Sequence, residues 1–221
     1  MTNASTLTSP VTDGRKVWQK NAYDVTNQTT TNATDVGFLR QNDSRVDVVS
    51  TMDKNLSQQV FSFTNVTTAN TQLSLQAGSS GTATGTDAVR VQVLNQAGQV
   101  IADSKAGMGQ ASKTYTALTQ GTYSLKQGKY YVAVQRSSSV PINSQLPFNV
   151  QLKQGDTVKN DYITENVPTP AKIQQEQAVA AVQQLAPTVL STSSVSIFGS
   201  TASDPFGQGG YDIFGEKLPT S

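Results

Sequence analysis

Between residues 58 and 152 the apolar side chains recur at every second position, and that spacing permits little except strands. "QQVFSFTNV" sets Phe61 and Phe63 on one face, with Val60 beside them. "TQLSLQA" alternates Leu73 and Leu75 with polar neighbours, and "AVRVQVLN" alternates Val89, Val91 and Val93. In "YYVAVQ", Tyr130, Val132 and Val134 fall on one side and Tyr131, Ala133 and Gln135 on the other. "LPFNVQL" closes the set with Phe148, Val150 and Leu152. A strand sends successive side chains to opposite faces, so each run offers one face to a core and one to water. The segments "AGSSGTATGTD", "NQAG", "KAGMGQ" and "KQGK" separate these runs and supply the backbone freedom a reversing sheet needs. The pattern predicts an all-β fold, an antiparallel β-sandwich or jelly roll.

The flanks read differently. Residues 1–23 are polar and without period, an N-terminal arm that Trp18 and Tyr23 dock onto a sandwich spanning 24–153. Residues 154–170 read as a linker carrying two prolines. "AKIQQEQAVAAVQQLA" follows Pro170 and ends at Pro187, which predicts a helix over 171–187 that docks on its own sandwich or on a partner. The tail 188–221 repeats Phe-Gly at Phe198, Phe206 and Phe214, eight residues apart each time, with Tyr211 between the last two. It is either a flexible end whose rings touch the domain or a short partner-binding motif formed by Phe198, Phe206, Tyr211 and Phe214.

Composition narrows the chemistry. The chain has no Cys and no His, which removes thiolate chemistry, the usual general base and the commonest zinc ligand. Serine and cysteine triads are thereby excluded. Carboxylate pairs would have to come from distant residues such as Asp43, Asp47, Asp53 and Asp156, and the expectation is a protein that is not an enzyme. Only 14% of residues are charged and the net charge is +1, so nucleic acid is not an expected partner. No apolar run approaches the ~20 residues of a membrane-spanning helix. The start of the chain lacks the pattern of a secretory signal peptide, so export is expected by another route or after removal of a signal.

"LKQGKYYVAVQ", residues 125–135, resembles the last-hairpin signature of bacterial pre-peptidase C-terminal domains, a Leu-x-x-Gly-x-Tyr-Tyr-Val-x-Val pattern. Leu125, Gly128, Tyr130, Tyr131, Val132 and Val134 hold its positions. "NQTTTNATDVGFL" looks like the family's entry strand, with Asn27, Ala33, Asp35 and Gly37 in place. "QQVFSFTNV" and "DAVRVQVLNQAGQVIADSKAG" follow in the family's order. The resemblance implies a jelly-roll sandwich over 24–153 that accompanies exported proteins. It also implies a calcium site, for which Asp24, Asn27, Asp35 and Asp87 are the remaining candidates. Several of the family's carboxylates are missing here, Gln58 and Gln59 standing near two of them, and turn residues explain the four better than a metal.

The expected protein is therefore an extracellular or cell-surface bacterial β-sandwich without catalysis or cofactor, working as a structural or assembly subunit through protein contacts or self-assembly. A carbohydrate- or matrix-binding module is the alternative, with Tyr115 and Tyr123 as candidate glycan contacts. A cargo protein with a C-terminal export signal is the third.

Overall fold

The computed structural model describes residues 11–12, 14–21, 23–78 and 85–168. The helix expected over 171–187 and the tail with Phe198, Phe206, Tyr211 and Phe214 lie outside the described residues.

The described strands are β1 (Val11–Thr12), β2 (Arg15–Asn21), β3 (Thr34–Leu39), β4 (Ser44–Met52), β5 (Gln58–Asn65), β6 (Ala69–Ala77), β7 (Val89–Asn95), β8 (Val100–Asp103), β9 (Tyr123–Leu125), β10 (Gly128–Arg136), β11 (Leu146–Lys153) and β12 (Asn160–Asn166). One α-helix, α1 (Gln110–Thr119), and a short 3-10 helix over Gly85–Ala88 join them. They build a seven-stranded sheet in the order β1-β2-β12-β4-β11-β6-β9 and a five-stranded sheet in the order β3-β5-β10-β7-β8. The two sheets pack as an all-β sandwich. Phe61, Phe63, Val91, Val93, Val132 and Val134 face Val46, Val48, Leu73, Phe148, Val150 and Leu152 in one cluster. Phe61 meets Phe148 edge to face across the layers, their centroids 6.2 Å apart.

Several expectations need correction. The sheets are mixed rather than antiparallel: β12 runs parallel to both β2 and β4, and β3 runs parallel to β5. The arm 1–23 contributes β2 to the large sheet, and the linker 154–170 contains β12 inside that sheet. β12 buries only the polar Asp161, Thr164 and Asn166, and β2 buries no residue fully, so neither carries a hydrophobic alternation. The loop after "KAGMGQ" forms α1, whose buried residues are Thr114 and Leu118 alone, too little for a helical stripe. This helix packs on β8 of one sheet and on β6 and β9 of the other, closing one side of the sandwich.

The segment 125–135 is not a hairpin. β9 pairs with β6 in the large sheet and β10 with β5 and β7 in the small one, so the chain changes layer between Leu125 and Gly128. Gly128 makes that change at φ +151°. The Asn65 amide, fully buried, donates to the carbonyls of Leu125 and Lys126 at 3.0 and 2.8 Å and holds the crossing in place. Its oxygen accepts from Gln154 Nε2 at 3.0 Å, and the same nitrogen reaches Thr71 Oγ1 at 2.9 Å.

The outward face of the five-stranded sheet carries a row of polar side chains. Gln135 donates to Gln58 at 3.0 Å and sits 3.2 Å from Gln92 Oε1. Gln92 in turn donates to Asp103, which Arg90 grips through Nε at 3.0 Å and through Nη2. The Arg90 hydrogen bonds hold the Asp103 carboxyl down to about 2, against the opposing effect of burial. Its folded value lies below the ordinary 3.8, so the stabilisation is complete above that pH and fades as pH falls towards 2. Asp103→Asn is expected to cost on the order of 1–2 kcal/mol at pH 7 and almost nothing at pH 2. Thermal unfolding of both proteins at the two pH values measures it.

Candidate functional site

At the β3 side of the sandwich, the large sheet continues outward as a ledge made of β12 and β2. The register places Trp18 beside Tyr162 and Tyr162 beside Val46. Val46 is fully buried in the core, whereas Tyr162 and Trp18 are only partly covered. The row thus leaves the core and reaches the surface in two steps. Trp18 stacks on Tyr162 with centroids 6.3 Å apart and planes 14° apart. Phe38, at the end of β3, meets Tyr162 edge-on at 6.1 Å and stays 51% exposed.

Local sequence explains why β3 comes this close. Gly37 has φ +110°, and a side chain there would put its Cβ 2.8 Å from Tyr162 Cδ1. The backbone of β3 therefore lies directly on the tyrosine ring. The register shift in β3 falls between Asp35 and Phe38, and Asp35 Oδ1 accepts from the Gly37 N–H at 3.2 Å.

Polar groups frame the rings. Trp18 Nε1 donates to Asn160 Oδ1 at 3.2 Å, and Asn160 Nδ2 donates to Asp43 Oδ1 at 3.2 Å. Lys16 and Lys20 lie two positions either side of Trp18, on its face of β2. Burial pushes the Tyr162 hydroxyl up, and the negative charge of Asp43 adds to that shift. The ledge offers aromatic surface, one amide and two ammonium groups to whatever meets it.

The tyrosines read as glycan contacts do not form this surface. Tyr115 on α1 and Tyr123 on β9 are half-buried and pack against the core, and burial raises the Tyr115 hydroxyl. Sequence alone shows an aromatic near a turn; it does not show that the ring packs against the core. Tyr130 is buried and stacked on Phe63 at 5.8 Å, while Tyr131 turns outward beneath Lys129 Nζ at 5.5 Å from its centroid.

Of the four calcium candidates, the fold gathers two. Asp24 accepts from Thr26 at 2.7 and 2.8 Å, and buried Asn27 donates to Thr34 at 3.1 Å, whose hydroxyl faces Asp24. Asp35 is turned to Gly37, and Asp87 is paired with Lys105 at 2.9 Å. The candidate acids for hydrolysis are engaged separately. Asp47 accepts from Asn149 and Gln151, Asp53 from Tyr23 and Gln145, Asp43 from Asn160, and Asp156 lies 3.7 Å from Lys153.

Sequence reasoning gave Trp18 its docking role but missed the ledge. The available signal was "KVWQK", an aromatic alternating with cations, which is an amphipathic strand pattern hidden in a segment read as an arm. No protein-family model matches this chain, and no curated protein matches it.

Proposed function

We propose that the protein is a non-catalytic β-sandwich subunit that works through protein–protein contact, in the setting of exported bacterial proteins of the cell surface or its appendages. The exposed aromatic ledge of Trp18, Tyr162 and Phe38 carries this reading. Tryptophan and tyrosine anchors surrounded by polar groups are the usual energetic centre of a protein interface. The resemblance of residues 24–153 to pre-peptidase C-terminal domains supports the setting. Phe38→Ser removes the most exposed ring and is expected to weaken association at least tenfold, the loss of about 1.4 kcal/mol. Light scattering across a concentration series reads this, and unchanged association by the variant would refute the role of the ledge.

A carbohydrate- or matrix-binding module is the second reading, favoured by the Asn160 amide and two lysines set around Trp18, where a sugar ring could stack and hydrogen-bond. Trp18 is the only tryptophan, so its fluorescence reports directly on the ledge. A saturable change on titration with soluble polysaccharides is the outcome that reading requires.

A further inference from the structure

We infer that β12 is an exchangeable strand: the residue 160–166 segment of one copy fits the same slot, between β2 and β4, of a second copy. This deepens the assembly reading and rests on it.

The first support is where the core lies. Every fully buried hydrophobic residue among the described ones falls between Val36 and Leu152. Neither β2 nor β12 supplies any; Tyr162 only packs against the cluster from outside. The sandwich is hydrophobically complete without these two strands.

The second support is how β12 is held. Besides its two parallel ladders, it is fixed by polar anchors at both ends. Asp161, 1% exposed, is gripped by Arg45 through Nε at 2.8 Å and through Nη2. Asn166, fully buried, donates to Asp24 O at 3.0 Å and to Ser50 Oγ at 3.3 Å, and accepts from the Asp24 N–H. All these partners are more than a hundred residues away in sequence, so nothing in the contacts requires that the strand belong to the same chain. Polar anchors also fix register, since a slip of one residue would bury their side chains unpaired.

The third support is the connection. β11 and β12 flank β4 on opposite sides, so residues 154–159 arch over the start of β4. Gln154 is tied down and Lys159 N donates to Asp43 O at 2.7 Å. Between them Gly155 has φ +78°, a conformation glycine adopts freely. Such an arch swings open by rotation at few bonds, the geometry of domain swapping. Opening strips β4 of one of its two neighbours and leaves β2 with β1 alone, edges that a second copy's strand satisfies. In one chain the tether favours closure, so exchange is expected where copies are concentrated.

A charge-reversal pair tests this. One full-length chain carries Arg45→Asp and the other Asp161→Arg, both with Phe38→Ser so that the ledge contributes nothing. Each chain alone sets like charges at the 45–161 contact and rejects its own β12. Exchange between them restores opposite charges at both contacts. Refolded together and examined by native mass spectrometry, the mixture is expected to be a one-to-one heterodimer at least tenfold over either homodimer. Single-chain masses only, with Phe38→Ser still weakening association of the unmodified protein, would overturn exchange and leave the ledge reading standing. A variant lacking residues 156–158 covers the case of misfolded reversals. Its shortened arch is expected to give dimers, and a folded monomer at the same concentration would equally overturn the inference.

Discussion

Gly37→Ala is expected to cost about 2–5 kcal/mol of stability, among the largest effects of any single methyl group in this protein. Two terms add. An alanine at φ +110° occupies backbone space that L residues rarely adopt, and its methyl would stand 2.8 Å from Cδ1 and 2.9 Å from Cγ of Tyr162. The ring is not free to move, because Trp18 stacks on it and Phe38 meets its edge. Gly98 separates the two terms: its φ is +77°, but nothing lies within 4 Å of its Cβ position. Gly98→Ala should therefore show the backbone term alone, about 1 kcal/mol. Adding Tyr162→Ala to Gly37→Ala should recover the steric part, a coupling that chemical denaturation of the four proteins measures. Equal losses at Gly37 and Gly98 would show that the ring does not press on β3.

Asn65→Ala is expected to be comparably damaging, at about 3–5 kcal/mol. Its amide joins three places: the Leu125 and Lys126 carbonyls at the layer change, and Gln154 at the end of β11. Truncation removes the donor of two carbonyls, while Gln154 Nε2 loses one acceptor and keeps Thr71 Oγ1 and Thr67 O. Water has no easy route to the Leu125 carbonyl, because Asn65 is fully buried and Leu125 is 1% exposed. Asn65→Asp keeps the shape but puts an acceptor against two carbonyls, so it should be no better at neutral pH. Gln154→Leu in an Asn65→Ala background should cost less than in the native protein, because the two side chains share one hydrogen bond. Additive losses in urea denaturation would mean that they act independently.

The fold was legible where the physics is hydrophobic. Phe61 with Phe63, Leu73, the three valines of β7 and the Val150–Leu152 end of β11 sit in the core, with Leu75 packed against it, because alternation is a direct record of a strand with one dry face. It failed where other forces hold the chain. β4 alternates Ser44, Val46, Val48, Ser50 and Met52 inward, but Val49 points outward and blurs the pattern. Apart from Tyr162 and Ile163, β12 is written in Asn, Asp, Thr and Glu, and its seat depends on partners that no local window contains. α1 fully buries only one leucine and one threonine, with Tyr115 half-buried beside them. The ledge fell between these cases. Trp18, Phe38 and Tyr162 are far apart in sequence and form a surface only because β12 enters between β2 and β4 in parallel. That Tyr115 and Tyr123 pack half-buried against the core was hidden for the complementary reason, since a helix without a stripe gives no sign that it lies on the sandwich.

The parallel course of β2 and β12 sets how the molecule bears tension. The described chain begins next to β2 and leaves through the far end of β12, so a pull on its two ends first peels the two-residue β1 and then slides β2 against β12 lengthwise. Every rung of that ladder is loaded at once instead of opening one by one like a zip. The strands that add least to the hydrophobic interior are thus the ones on which mechanical endurance rests.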